Sequence, residues 1–235
     1  MRRHRVAWVL LGGVVAGCGQ PAPSATPLFP LEPGHQWRFD VRTEWEGGGL
    51  EHETRELSTE PPAEVAGQPA WRRRSADGVA WYLRHDATGI YRVAAKSDLQ
   101  AEPTPDPAPR YVLKAPYTVG TGWQHPTAPY LLRRRADFPP EIRHTHPSVP
   151  MQYAIEAVGL SVDTRIGRFE GCLRVKGQAT LRLFADPVSG WRDLPLTTTE
   201  WYCPGPGLVR LTREEPANSA FLKGGTLTME LLAWK

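Results

Sequence analysis

Few side chains in this 235-residue chain are spaced for chemistry. His144-Thr145-His146 sets two imidazoles on one side of an extended segment, between Pro139-Pro140 and Pro147. Such a pair could hold a transition metal with a third ligand from elsewhere, but its commoner role is a polar loop, and no metal or other cofactor is expected. His52-Glu53-Thr54-Arg55-Glu56 has the first half of the zinc-protease spacing and lacks the second His. It also lies in a strand-like run, where that chemistry needs a helix. No Gly-x-Ser-x-Gly elbow and no Gly-Lys phosphate loop occurs. Glu214 and Glu215 are consecutive, so on a strand they face opposite ways and cannot share a proton. No catalytic residue is assigned, and the balance is against an enzyme. Arg72-Arg73-Arg74 and Arg133-Arg134-Arg135 are the densest charge runs. In a strand each run shows at most two guanidiniums per face. One reading is a wet sheet face balanced by acids; the other is an anion cradle for lipid head groups or cell-wall polymers.

The amino terminus says where the chain goes. Arg2, Arg3 and Arg5 precede an apolar stretch at 6–15, too short to span a bilayer and right for a secretory signal. Val15-Ala16-Gly17-Cys18 resembles the bacterial lipoprotein signal at all four lipobox positions. The resemblance implies removal of residues 1–17 and diacylation of the Cys18 sulfur. The mature chain would then be held at a membrane by its acyl chains, each buried methylene contributing about 0.8 kcal/mol. It also implies a cell-envelope protein facing the periplasm or the exterior. Gly19 after Cys18 resembles the pattern sent to the outer membrane in two-membrane bacteria. Residues 20–27 alternate Pro with small side chains, so 18–28 reads as a flexible tether. With the signal gone, the 28 basic residues fall to 25 and match the 25 acidic ones. A neutral mature chain gives no electrostatic case for nucleic acid.

Across 29–235 the hydrophobic period is two. Trp37, Phe39, Val41 and Trp45 fall on one face of a strand, with Arg38, Asp40, Arg42 and Glu44 on the other. Further strands are expected at 51–58, 70–74, 79–85, 90–95, 111–114, 130–135, 151–162, 173–183, 197–202, 208–213 and 226–234. Gly-containing turns separate the earlier ones. Pro103, Pro105, Pro107 and Pro109 predict a break at 103–109. No ten-residue helical stripe follows the signal. The expected fold is all-β and mainly antiparallel, a strongly curved sheet or half-barrel with two similar strand-rich halves. An internal echo supports the halves. Pro30, Leu31, Gly34 and Trp37 recur, in the same frame, as Pro116, Tyr117, Gly120 and Trp123. In each copy a Gly turn delivers a Trp onto the inner face of a new strand.

Three phrases resemble a broad group of β-rich bacterial envelope lipoproteins. They are Phe29-Pro30-Leu31-x-x-Gly34-x-x-Trp37, Gly167-x-Phe169-x-x-Cys172-Leu173-x-Val175 and Trp201-Tyr202-x-Pro204-Gly205-x-Gly207-Leu208-Val209. With Cys18 lipidated, Cys172 and Cys203 remain as an even pair in an oxidising compartment, which predicts a disulfide. Strict alternation weighs against it, putting Cys172 on the polar face with Arg174 and Cys203 in phase with Trp201. Two unpaired thiols, and more remotely a two-thiol metal site, are the alternatives.

These readings converge on a non-enzymatic, membrane-anchored binding or scaffolding module of the cell envelope, whose partner is an envelope protein, a lipid or the cell wall. The first alternative is a carrier of lipid or lipoprotein, similar to half-barrel proteins that shuttle such cargo between bacterial membranes. It requires an open apolar face, for which Trp37, Phe39, Trp81 and Trp123 are the candidates. An envelope hydrolase is the second.

Overall fold

Alternation along the chain becomes one twelve-stranded antiparallel sheet in the computed structural model, which describes residues 26–134, 148–186, 188, 190–217, 219 and 222–235. The first six strands form a meander: β1 (Gln36–Trp45), β2 (Leu50–Val65), β3 (Gln68–Ser75), β4 (Ala80–Asp86), β5 (Gly89–Lys96) and β6 (Thr104–Lys114). A second meander of six runs through β7 (Gly122–Thr127), β9 (Val149–Thr164), β10 (Gly167–Asp186), β11 (Gly190–Cys203), β12 (Gly207–Glu215) and β14 (Gly225–Trp234). The first and last strands, β1 and β14, join the two, giving the order β6-β5-β4-β3-β2-β1-β14-β12-β11-β10-β9-β7. Two-residue strands β8 (Arg133–Arg134) and β13 (Leu222–Lys223) pair outside this sheet. Among the described residues there is no helix, and hence none that could cross a membrane.

The sheet curls until its edges β6 and β7 approach, where the Arg110 guanidinium donates to the Pro126 carbonyl at 2.7 Å. No backbone ladder closes this seam. The sequence explains why, and corrects the break expected at 103–109. Strand β6 runs through Pro105, Pro107 and Pro109, and β7 contains Pro126. Proline supplies no N–H, so it is tolerated on an edge strand and cannot zip that edge to another. The break between the halves falls instead in the turn after Lys114.

Two interior clusters fill the curl. One gathers Phe29, Leu83, Leu113, Trp123, Tyr153, Leu173 and Tyr202; the other gathers Trp37, Phe39, Val41, Trp45, Leu227 and Leu231. Within the segment expected to be a tether, the Pro27 carbonyl accepts a hydrogen bond from the Gly205 N–H at 3.0 Å, and residues 18–25 lie outside the described residues. Cys18 lies outside the described residues.

Cys172 and Cys203 form a disulfide. The objection from alternation dissolves in the register. Strand pairing sets Arg174 opposite Trp201 and Leu173 opposite Tyr202, so the next step puts Cys172 opposite Cys203 on one face. Sequence parity is counted strand by strand and leaves out the pairing offset that decides such a contact. Closing a loop with a sequence separation of 31 contributes about 3–4 kcal/mol in the chain-entropy account.

Of the strand expected at 130–135, Arg133–Arg134 form β8, residue 135 lies outside the described residues, and 130–132 instead make a tight polar clasp. The N–H groups of Tyr130, Leu131 and Leu132 all donate to Oε2 of Glu215, at 3.0, 2.8 and 3.2 Å. Three successive amides aimed at one oxygen cannot also alternate along a ladder. Glu215 is fully buried, and its Oε1 accepts from Nε of buried Arg213 at 2.8 Å.

Candidate functional site

Inside the curl lies a cavity of about 390 Å³, within the ordinary range for small-molecule sites. Strand parity sets the walls on β1, β2 and β4, and register shifts on β6 and β12 bring residues of both parities to the cavity. Trp37 and Phe39 come from β1, Leu57 from β2, Trp81 and Leu83 from β4, and Leu208 and Leu211 from β12. These make an apolar lining. Along the seam side stand Arg92 of β5, Arg110 and Tyr111 of β6, His125 of β7 and Tyr153 of β9. A wider hollow of about 590 Å³ outside β1–β3 is bordered by charged groups, among them Arg38, Glu56, Glu60 and Arg74.

Of the four rings expected to make an apolar face, Trp37, Phe39 and Trp81 line the cavity. Trp123 sits one layer back. It pairs across strands with Tyr153, and their rings stack with centroids 5.7 Å apart and planes within 7°. His125 stacks on Tyr153 from the cavity side at 4.3 Å. Gly177, opposite Tyr153 on β10, makes this stack possible: a Cβ there would lie 2.7 Å from the tyrosine ring.

The polar groups are few and unevenly matched. Arg92 donates twice to Asp106, at 2.7 and 2.6 Å, and Arg110 stands 3.9 Å from the same carboxylate. Desolvation depresses the proton affinity of His125, and the nearby Arg110 and Arg92 depress it further. Glu200 of β11 keeps some accessible surface where it lines the cavity, and its carboxylate accepts from the Tyr202 hydroxyl at 2.5 Å. Burial pushes the Glu200 carboxyl up from its ordinary value and the Tyr202 phenol well up from its own.

Arg73 was hidden in its run. Alternation splits Arg72-Arg73-Arg74 between faces: Arg72 and Arg74 turn outward to Glu60, at 2.5 and 3.7 Å. Arg73 turns inward, only 8% exposed, its guanidinium carbon 4.1 Å from the ring centroids of both Phe29 and Trp37. The second run is not a matching cradle in its described part: Arg133 covers the Trp45 ring at 4.1 Å and faces Glu51 at 3.7 Å. Arg135 and the His144 and His146 pair lie outside the described residues. Of the half-motif at 52–56, His52 bonds Asp40 on the outer face, next to Arg42 and Arg165. Among the described residues no cluster of three His, Cys, Asp or Glu groups could hold a metal.

No protein-family profile and no curated protein matches the chain. Two solved structures align with most of it. One, from Bacteroides fragilis NCTC 9343, is a candidate exported protein with a YmcC-like fold, 15% identical, with a TM-score of 0.38 over 88% of this chain and 98% of its own. The other, a candidate lipoprotein of Parabacteroides distasonis ATCC 8503, is 15% identical, with a TM-score of 0.37 over 90% of this chain and all of its own. At that similarity neither transfers a function.

Proposed function

We propose that the chain is an envelope lipoprotein, anchored through acylated Cys18, whose curled sheet binds a small, largely apolar molecule without transforming it. The cavity carries this reading. It is concave, walled by Trp37, Phe39, Trp81 and Leu211, and bordered by a seam that proline keeps unzipped. A scaffolding sheet has no need of such a hollow, since its inward rings could pack on one another and close it. The one hydroxyl held by a carboxylate on the described lining is Tyr202 against Glu200, and burial pushes that phenol well up, away from the ionised form a nucleophile needs, which favours binding over turnover.

The test uses protein extracted from the membrane of the producing bacterium. Native mass spectrometry is expected to show a mature chain starting at Cys18 with diacyl and acyl additions, and a fraction carrying a small bound molecule. Leu211→Trp, which fills the cavity, should release that molecule and leave the anchor. A chain without acyl mass overturns the anchoring. A bare chain that also takes up no single-chain amphiphile overturns the binding role.

A further inference from the structure

We infer that the cavity takes a single-chain amphiphile with an anionic carboxylate or phosphate head, the head pairing with Arg73 and the chain lying against Trp37, Phe39 and Trp81. This rests on the cavity being a ligand site, and it names the ligand's chemistry. The observation behind it is an uncompensated buried cation. Arg73 is stacked between Phe29 and Trp37, and one of its nitrogens, Nη2, donates to the Pro30 carbonyl at 2.5 Å. Its Nε is buried without a partner, although the side chain lines the cavity. Among the described residues no carboxylate pairs with it: Glu60, the acid nearest in the run, is taken outside by Arg72 and Arg74.

A charge so placed is costly unless an anion meets it, and the two flanking rings compensate only in part. Desolvation lowers the Arg73 pKa to about 9, which leaves it cationic at neutral pH. A guanidinium held flat between rings presents its edge, and the edge is what a carboxylate or phosphate grips through two parallel hydrogen bonds. The rest of the lining agrees in sign. Arg92 and Arg110 share the single carboxylate of Asp106, and Glu200, whose carboxyl burial pushes up, is the one acid on the described lining, so three guanidiniums stand against two acids around the hollow. The volume bounds the chain: 390 Å³ holds roughly a dozen non-hydrogen atoms at about 30 Å³ each. Decanoate is that size.

The experiment is calorimetric titration of residues 18–235 carrying Cys18→Ser, which retains every described residue and removes the anchor. Decanoate, decyl phosphate, decanol, acetate and inorganic phosphate are the probes. The expected result is binding of decanoate or decyl phosphate at least tenfold tighter than decanol, with no measurable binding of acetate or inorganic phosphate. Arg73→Gln should weaken the anionic amphiphile about ten- to a hundredfold and leave decanol unchanged. Equal affinities for decanol and the anionic chains would overturn the anionic head and leave the cavity reading intact. Acetate or phosphate binding as tightly as the long chains would overturn the amphiphile. Binding of none of the probes would remove both readings. Should Arg73→Gln not fold, the wild-type ratio of decanoate to decanol decides alone.

Discussion

The N–H groups of Gly34 and Gly120 make the same hydrogen bond in the two halves of the sheet, the first to the Thr59 carbonyl on β2 and the second to the Ile155 carbonyl on β9, both at 2.9 Å. The reverse bonds match as well, Thr59 N–H to His35 at 2.8 Å and Ile155 N–H to Thr121 at 3.0 Å. Each turn then delivers a buried Trp, Trp37 or Trp123, as the second residue of the first strand of its meander. The recurring phrase is therefore a docking device used twice.

That equivalence makes a prediction. Gly34 and Gly120 have φ of +99° and +89°, and a Cβ on either would meet nothing within 4 Å. An alanine there is strained by backbone conformation alone, at about 1–2 kcal/mol. Gly34→Ala and Gly120→Ala should lower unfolding stability by similar amounts in urea titrations. A large cost at one turn and none at the other would break the equivalence.

How much of this could be read from the sequence divides along one line. Alternation identified most of the strands, though not the extent of β6 or the clasp at 130–132, and the inward set Trp37, Phe39 and Trp81, because a period of two is local. Register is not local. It decides that Cys172 meets Cys203, and that Tyr153 shields Trp123 by lying over Gly177. Arg73 could have been singled out, since the middle member of a triplet in a strand must face opposite to its neighbours, and the odd neighbours Trp71 and Arg73 share a face. What alternation could not supply was the absence of a carboxylate opposite it. The β6 prolines misled for a related reason: proline forbids a central strand, and only the topology reveals an edge.

Gly177 should resist substitution more strongly than the turn glycines. An added Cβ would lie 2.6 Å from Cγ2 of Thr198 and 2.7 Å from the Tyr153 ring, so one of them must move. Overpacking of this kind costs about 1–3 kcal/mol. Because Tyr153 is stacked on Trp123 and His125, displacing it should also change the near-UV circular dichroism. Gly177→Ala with an unaltered aromatic spectrum and full stability would show that the stack does not depend on the missing side chain.

The clasp at Glu215 is expected to be the most sensitive polar site. Glu215→Ala strands Arg213, which is 3% exposed and, among the described residues, is left with Met151 Sδ at 3.4 Å, the Tyr130 ring at 5.3 Å and the more distant Glu200 carboxyl. It also frees three amides. Breaking a buried pair from one side costs about 3–5 kcal/mol, whereas replacing both partners is far milder. Glu215→Ala should therefore lose more stability than Arg213→Met with Glu215→Gln, and hydrogen exchange at the amides of 130–132 should accelerate. A double variant no better than the single one would assign the loss to cavity formation rather than to the stranded charge.

Glu200 should make the fold weaker as the pH rises. Burial dominates its environment and raises the carboxyl pKa above the ordinary 4.5, while the Tyr202 and Thr198 hydroxyls and the Arg213 charge oppose that rise without cancelling it. Tyr153 also faces this group and is itself pushed up, chiefly by burial. A carboxyl whose folded pKa exceeds its unfolded one holds a proton more readily in the native state. Its contribution is thus fully present below about 4.5 and is lost as the pH climbs through the folded value. Glu200→Gln keeps a hydrogen-bonding group for Tyr202 and cannot ionise. The stability of the variant, measured by urea unfolding at a series of pH values, should gain on wild type steadily above pH 4.5 and then level off. Parallel curves through that window would mean that the unfolded and folded carboxyls titrate together, and that the cavity wall at Glu200 is wetter than its lining implies.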